Sequence, residues 1–79
     1  MTTAALAQAR RILQEVASEH GVTIEDLHGP RRGQLLFAAR AHAVRRIRAE
    51  TGLKQMAIGR LVGRHHSTIS YHLNGNGRA

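Results

Sequence analysis

The spacing of apolar residues restricts this chain to helices. Apolar side chains recur at intervals of three and four residues, as in Ala9, Ile12, Leu13 and Val16, and such a run places one apolar stripe on a helix face. No segment shows the alternation of apolar and polar residues that a half-buried strand requires. A length of 79 residues suits a single domain. The predicted fold class is therefore all-α, a compact domain of four to five helices.

Glycine and proline mark where the helices should end. Gly21, the pair Gly29–Pro30, Gly52 and Gly63 each interrupt the periodic pattern. The segment Thr23–Asp26 has the form of a capping box that opens a short helix. We expect a single domain over residues 1–73, a flexible tail over residues 74–79, and helices at about 4–20, 24–28, 34–50, 53–62 and 66–73.

Residues 58–73 have the spacing of a helix-turn-helix. Gly59 is small where two helices would cross closely, and Gly63, four residues later, suits a left-handed turn. Ile69, six residues after Gly63, would pack the second helix onto the first, and Leu73 continues that buried stripe. The second helix of such a motif lies in the major groove of DNA. The alternative is an ordinary helical hairpin with a polar outer face.

Hydrogen-bonding side chains occupy the first turn of this second helix and the positions just after it. Such side chains can distinguish base pairs by their donors and acceptors in the major groove. The predicted major-groove base contacts are His65, His66, Ser67, Thr68 and Tyr71.

Positive charge is concentrated in the middle of the sequence. The formal charge is +7, and residues 31–64 contain nine basic residues against Glu50 alone, whereas residues 1–30 contain more acidic than basic residues. Such a region suits a polyanion, because neutralised phosphates release their counterions. A solvated arginine-rich surface is the alternative. The predicted contacts to the DNA backbone are Arg31, Arg40, Arg45, Lys54, Arg60, Arg64 and Ser70.

Short motifs between Val22 and Leu73 form one pattern in the order of the chain. They are Asp26–Leu27, Arg31–Arg32, Ala39–Arg40, Ile58–Gly59 and the run Gly63-Arg64-His65-His66-Ser67-Thr68-Ile69. Together these motifs resemble the C-terminal DNA-binding domain of the bacterial chromosomal replication initiator, DnaA. The resemblance covers about Val22 to Leu73 and implies a Trp-repressor-like helix-turn-helix, here as a stand-alone small protein that binds specific double-stranded DNA.

The resemblance also implies roles for individual residues. In the family, the second arginine of a basic loop enters the minor groove, and Arg32 matches it. An arginine of the long helix contacts phosphate, and Arg40 matches it. The signature histidine and the two threonines after it contact bases or phosphates in the major groove, and His66, Ser67 and Thr68 match them. An arginine inserted into a narrow minor groove is a recognised means of reading DNA shape.

The sequence also departs from the family. His65 stands where the family has an aspartate that contacts a base and is a candidate helix cap, so we expect a different target sequence. Gly63 alone replaces the family's pair of glycines, which shortens the turn, and most of a further C-terminal helix is missing. No Gly-x-x-x-x-Gly-Lys-Ser/Thr phosphate loop occurs in the sequence. We therefore expect no ATP-driven melting of DNA.

Other kinds of site find little support in the sequence. His65 and His66 would point away from each other on a helix, and the sequence contains no cysteine to complete a zinc site. His20 and His42 are expected to be structural or solvated. No carboxylate is placed to orient a histidine beside a serine, and no apolar segment is long enough to cross a bilayer. We expect a cytoplasmic, nucleoid-associated protein with no enzyme activity, cofactor, metal, small-molecule substrate or membrane contact.

The first helix and the biological outcome leave alternatives open. The apolar face of the helix over residues 4–19 is expected to complete the core, and weak homodimerisation through this helix is the alternative. DNA binding is expected to serve transcription control, with RNA polymerase as a candidate partner. The alternatives are replication control, through origin DNA or a replication protein, and a protein-binding adaptor.

Overall fold

The computed structural model describes residues 3–30 and 33–75. Over these ranges the chain forms helices and no strand, so the predicted all-α class is confirmed. The elements are α1 (Thr3–His20), α2 (Ile24–His28), α3 (Gln34–Thr51), α4 (Gln55–Val62) and α5 (His66–Ser70), followed by a π-helical turn (Tyr71–Gly75).

The longest two helices, α1 and α3, pack against each other and form most of the core. Because the apolar stripe of α1 is buried inside a single chain, this helix completes the core, and a homodimer would need another of its faces. The buried residues of α1 are Ala9, Ile12, Leu13, Val16 and Ala17. Those of α3 include Leu36, Ala39, Ala43, Val44 and Ile47.

The five-residue helix α2 is held by its caps. Thr23 Oγ1 accepts a hydrogen bond from the Asp26 amide at 3.0 Å, and the Asp26 carboxylate accepts one from the Thr23 amide at 3.1 Å. This is the predicted capping box. Leu27 anchors the helix in the core with 1 % of its surface exposed. The helix therefore ends at a fixed place, three residues before Arg31.

The linker between α3 and α4 differs from the prediction, since α4 begins at Gln55 rather than at about Leu53. Leu53 is buried, but its backbone is not helical. Its amide donates to Thr51 Oγ1 at 3.1 Å, and its carbonyl accepts from Arg48 Nη1 at 2.8 Å. The apolar pattern identified a core residue correctly, but side chains of α3 take over its backbone hydrogen bonds and hold it in the linker.

The last helix changes its winding after Ser70. The sequence predicts one helix over residues 66–73, whereas the chain continues from α5 into the π-helical turn, which reaches Gly75. Ile69 and His72 are buried, and Leu73 packs partly buried against the core. The helical backbone therefore includes residues 74 and 75, which the sequence assigns to a tail, and residues 76–79 lie outside the described part of the chain.

His72 places a polar ring in the interior. Its side chain is 1 % exposed and its ring centroid lies 4.9 Å from that of Phe37. Within the described residues, Nδ1 has no hydrogen-bond partner. Burial lowers the pKa of His72 below the ordinary histidine value because it disfavours the charged ring, and the nearby charge of Arg45 lowers it further. Folding therefore favours the neutral form of this imidazole over the charged form.

The free energy of unfolding is expected to fall as the pH drops from 7 to 5. Below the ordinary histidine pKa of about 6.5, the unfolded chain binds a proton that folded His72 excludes, so acid favours unfolding. One such proton contributes at most about 1.4 kcal/mol per pH unit.

Urea titrations across this range should show that the free energy of unfolding of His72→Leu depends less steeply on pH than that of the native chain. A control at the exposed and non-titrating Leu35, Leu35→Ala, should keep the native slope. Parallel slopes for His72→Leu and the native chain would contradict the assignment.

Candidate nucleic-acid interface

The turn between α4 and α5 brings the two helices into close contact. Gly63 ends α4 in the left-handed conformation, with φ 65° and ψ 34°. Gly59 is buried, and a Cβ atom there would lie 2.5 Å from the carbonyl oxygen of Arg64. Ile69 is fully buried in the core. The small residue, the left-handed turn and the aliphatic anchor therefore occupy the places that the spacing predicts, and α4 and α5 form a helix-turn-helix.

The end of α2 packs directly on this turn. A Cβ atom at Gly63 would overlap the carbonyl oxygen of His28. Gly63 thus serves two purposes, since it provides the left-handed backbone and leaves space for α2. The contact matters for a nucleic-acid site because His28 lies three residues before the basic pair Arg31–Arg32. It holds the start of the basic loop beside the helix-turn-helix.

Arg40 organises the carbonyl end of α2. Its Nε donates to the Leu27 carbonyl at 2.8 Å, and its Nη2 donates to the carbonyls of Asp26 at 2.9 Å and Gly29 at 3.2 Å. The side chain is 5 % exposed. The sequence predicts a phosphate contact for Arg40. The structure instead surrounds it with backbone carbonyls, because α2 folds back over the middle of α3, and little of the guanidinium is left accessible to a phosphate.

Arg64 joins the same segment to the helix-turn-helix. Its Nη2 donates to the Gly29 carbonyl at 2.7 Å, and its Nη1 donates to the Gly63 carbonyl at 2.9 Å. Arg40 and Arg64 therefore meet at the carbonyl of Gly29, one from α3 and one from the turn. Arg64 is partly exposed, unlike Arg40, so its remaining surface faces solvent beside α5.

Pro30 and Gly33, which flank Arg31–Arg32, line the same cleft as Thr68 of α5. This cleft is lined by Pro30, Gly33, Phe37, Arg40, Arg64 and Thr68. A second cleft shares Arg64 with it and is lined by Met56, Gly59, Arg60, Gly63, Arg64 and His65. We call these two clefts together the Arg64 surface. Its lining residues are basic or neutral, which suits an anionic ligand such as a phosphate backbone.

The structure places the predicted base contacts of α5 at or near this surface. His65, Ser67 and Tyr71 are exposed, and Thr68 is partly exposed and lines the first cleft. Ser70, predicted to contact the DNA backbone, is partly exposed. The side chain of His66 and the whole of Arg31–Arg32 lie outside the described residues.

His65 is the N-cap of α5. Its Nδ1 accepts a hydrogen bond from the Ser67 amide at 3.2 Å and lies 2.8 Å from Ser67 Oγ. The backbone of His65 is extended, as at other N-caps. Histidine is not among the common N-cap residues, but the family's aspartate at this position is a candidate cap, so His65 fills that place with a different side chain. The imidazole fixes both its own orientation and the start of the helix.

Four further basic residues divide into two groups. Arg60 and Lys54 are exposed, and Arg45 is exposed with its Nε donating to the His72 carbonyl at 3.2 Å. Arg46, by contrast, pairs with Glu15 at 3.0 Å and Glu50 at 2.9 Å. The hydrogen bond to Glu50 is the main reason why the pKa of Arg46 is raised, and it lowers the pKa of Glu50. Arg46 therefore serves the contact between α1 and α3 rather than the Arg64 surface.

Phe37 is a candidate contact that the sequence analysis missed. Its ring is 44 % exposed, lines the first cleft and lies 6.2 Å from the ring of Tyr71. An exposed phenylalanine can pack on the methyl group of a thymine. The spacing in the sequence could have indicated this contact, since Phe37 lies three residues before Arg40 and therefore on the same face of α3.

The described residues 3–30 and 33–75 also bear on metal sites and membrane spans. In this part of the chain, no group of three or more His, Cys, Asp or Glu side chains is arranged to hold a metal ion. None of the helices there has the length and apolar character needed to span a membrane. His20 of α1 and His42 of α3 form a hydrogen bond, with His20 Nε2 lying 3.1 Å from His42 Nδ1. This contact joins the two helices, which is a structural role.

Comparison with known families agrees with the geometry. Residues 9–75 match the family model described as the bacterial dnaA protein helix-turn-helix. The match begins inside α1, whereas the resemblance of motifs begins at about Val22, so α1 belongs to the matched domain. No solved structure matches the chain. The resemblance to DnaA is confirmed, and the chain belongs to the bacterial DnaA helix-turn-helix family of DNA-binding domains.

Proposed function

We propose that this chain is a sequence-specific transcription regulator that reads DNA with α5 in the major groove and the basic loop in the adjacent minor groove. One observation carries the proposal: Pro30 and Gly33, which flank the loop, line the same cleft as Thr68 of α5. A duplex laid on the Arg64 surface would therefore meet both elements at once.

The contacts then sort into two classes. Base contacts are proposed for Arg32 in the minor groove and for residues of α5 and the turn after it in the major groove, and phosphate contacts set the register of the protein on the duplex. Arg40 is assigned to positioning the loop. The proposed major-groove contacts are His65, His66, Ser67, Thr68 and Tyr71. The proposed phosphate contacts are Arg31, Arg45, Lys54, Arg60, Arg64 and Ser70.

Transcription control is the favoured outcome because a reader of this kind can block a promoter, or recruit RNA polymerase, through occupancy alone. DNA binding in a bacterial family also suggests a cytoplasmic, nucleoid-associated location. A second candidate is replication control through origin DNA or a replication protein, and membership in the DnaA family favours it. No ATP-binding loop is required for either role.

Selection of bound duplexes from a random pool tests the function directly. The full chain should enrich one motif, and the positions of that motif in the genome of the bacterial host separate the two roles. Motifs at promoters would support transcription control, and motifs clustered at the origin would support replication control instead. Absence of any enriched motif would contradict sequence-specific binding and favour a protein-binding adaptor.

Affinity for the selected duplex is expected to fall steeply as the salt concentration rises. A plot of log K against the logarithm of the salt concentration should have a slope of about −0.9 for each phosphate neutralised. Arg60→Ala should reduce that slope by about 1 and weaken binding to all sequences equally, because a phosphate contact carries no sequence information.

Arg32→Ala should weaken binding to the selected duplex by about 2 kcal/mol and relax the base preference at one part of the motif.

The matched control for these variants is Arg11→Ala, which removes an exposed arginine of α1 outside the Arg64 surface. It should leave both affinity and slope at the native values. Fluorescence anisotropy titrations at several salt concentrations measure all of these quantities. Equal losses for Arg11→Ala and Arg60→Ala would show that binding follows net charge rather than the Arg64 surface.

A further inference from the structure

The hydrogen bonds of His65 determine which of its ring nitrogens carries the proton. Nδ1 lies 3.2 Å from the Ser67 amide nitrogen and 2.8 Å from Ser67 Oγ. A backbone N–H can only donate, whereas a hydroxyl can donate or accept. Nδ1 must therefore be the acceptor, with the Ser67 hydroxyl also turned toward it as a donor.

A neutral imidazole that accepts at Nδ1 carries its proton on Nε2. The capping hydrogen bond therefore selects one of the two neutral tautomers. In that tautomer Nε2, at the outer end of the ring, is a donor rather than an acceptor. His65 is exposed and lines the second cleft of the Arg64 surface, beside Arg60 and Arg64. This is where the first turn of a recognition helix approaches base edges.

We propose that His65 is a specificity-determining residue whose Nε2–H favours guanine and disfavours cytosine at the base pair that faces the first turn of α5. This inference rests on the proposed function. Guanine presents two neighbouring acceptors, N7 and O6, in the major groove, and adenine presents N7 beside an amino donor. Cytosine presents an amino donor, which would oppose the Nε2 donor. His65 therefore disfavours cytosine at that position.

Two variants separate this role from capping alone. Aspartate and asparagine are both good N-cap residues, so either one can accept the Ser67 amide in place of Nδ1. Asparagine still offers an amide donor, whereas an aspartate carboxylate can only accept. His65→Asn keeps the hydrogen-bonding polarity of the imidazole at its outer end, and His65→Asp reverses it. A residue that only caps α5 would tolerate both changes equally.

The first test uses the free protein. Long-range proton–nitrogen NMR spectra of the full chain at mildly alkaline pH distinguish the tautomers of each histidine. We expect the Nε2–H tautomer for His65, and the Nδ1–H tautomer would overturn the inference. Circular dichroism of the two variants should show native helix content, since both retain a cap.

The second test is duplex selection from one random pool with the native chain, His65→Asn and His65→Asp. The first two should recover a motif with guanine most often at one position, favoured over cytosine by about tenfold. His65→Asp should recover the same motif with cytosine at that position and no change elsewhere. An unchanged motif with His65→Asp would overturn the inference while leaving the proposed function intact. No motif with the native chain would overturn both.

Discussion

Replacing Arg40 with methionine is expected to lower the free energy of unfolding by about 3 kcal/mol. Methionine keeps an unbranched apolar stem but removes the guanidinium that donates to the carbonyls of Leu27, Asp26 and Gly29. Hydrogen bonds from a charged donor contribute about 1.5–3 kcal/mol each, and buried acceptors left without a donor add a further cost. Chemical unfolding followed by circular dichroism measures the difference.

Arg48 provides the matched control for this variant. It lies on the same helix and also donates to a backbone carbonyl, that of Leu53 at 2.8 Å, but it is exposed. Arg48→Met should therefore cost less than about 1 kcal/mol, since water can replace its hydrogen bond. Equal losses for the two variants would show that the buried position of Arg40 adds nothing.

The same variant also decides between the two roles considered for Arg40. If the side chain contacts a phosphate, as the sequence predicts, Arg40→Met should leave stability unchanged and reduce the salt dependence of DNA binding by about one phosphate. If it holds the end of α2, stability should fall. DNA affinity should then also fall, because the basic loop would lose the support that positions it. Discrimination between base pairs should weaken in the part of the motif where Arg32 is proposed to read the minor groove.

Features that depend on the local sequence could be predicted here. Thr23 and Asp26 form a capping box because both hydrogen bonds lie within one turn of chain. Gly59 and Gly63 could be assigned to the crossing and the turn because their spacing relative to Ile69 is a local pattern. Helix periodicity likewise identified most of the core, since one face of each helix must be apolar.

Features that depend on which distant groups meet could not be predicted. Arg40 reads as a surface cation because arginine is rarely buried, and only the approach of α2 supplies its carbonyl partners. His72 reads as a polar position of the recognition helix, yet the π-helical turn places it in the interior. His65 replaces the aspartate that the family has at this position, and only the placement of its ring beside the Ser67 amide shows that Nδ1 caps α5.

Three tertiary contacts, made by Arg40, Arg64 and Gly63, meet at the end of α2. His28 lies against Gly63, and the carbonyl of Gly29 accepts hydrogen bonds from both Arg40 and Arg64. The segment that leads into the basic loop is thus fixed relative to α5. A protein that reads two grooves needs such a connection, because a shift between its two reading elements would prevent both from engaging one duplex.

The tightest part of this connection can be measured with a pair of glycine variants. Gly63→Ala is expected to lower the free energy of unfolding by about 3 kcal/mol. A left-handed backbone costs a residue with a Cβ atom about 1 kcal/mol, and forcing that atom into an occupied space costs about 2 kcal/mol more. Gly52 has nearly the same conformation, with φ 70° against 65°, but a Cβ atom there would meet nothing within 4 Å.

Gly52→Ala therefore carries the backbone cost alone, about 1 kcal/mol. The difference between the two variants measures the contact between His28 and the turn, free of the strain that both share. DNA affinity should separate them in the same way, because only Gly63→Ala moves α2 and the basic loop away from α5. Chemical unfolding and anisotropy titrations of both variants provide the two measurements. Similar losses of stability in the two would mean that the turn does not depend on α2, and that the loop and the recognition helix are positioned independently.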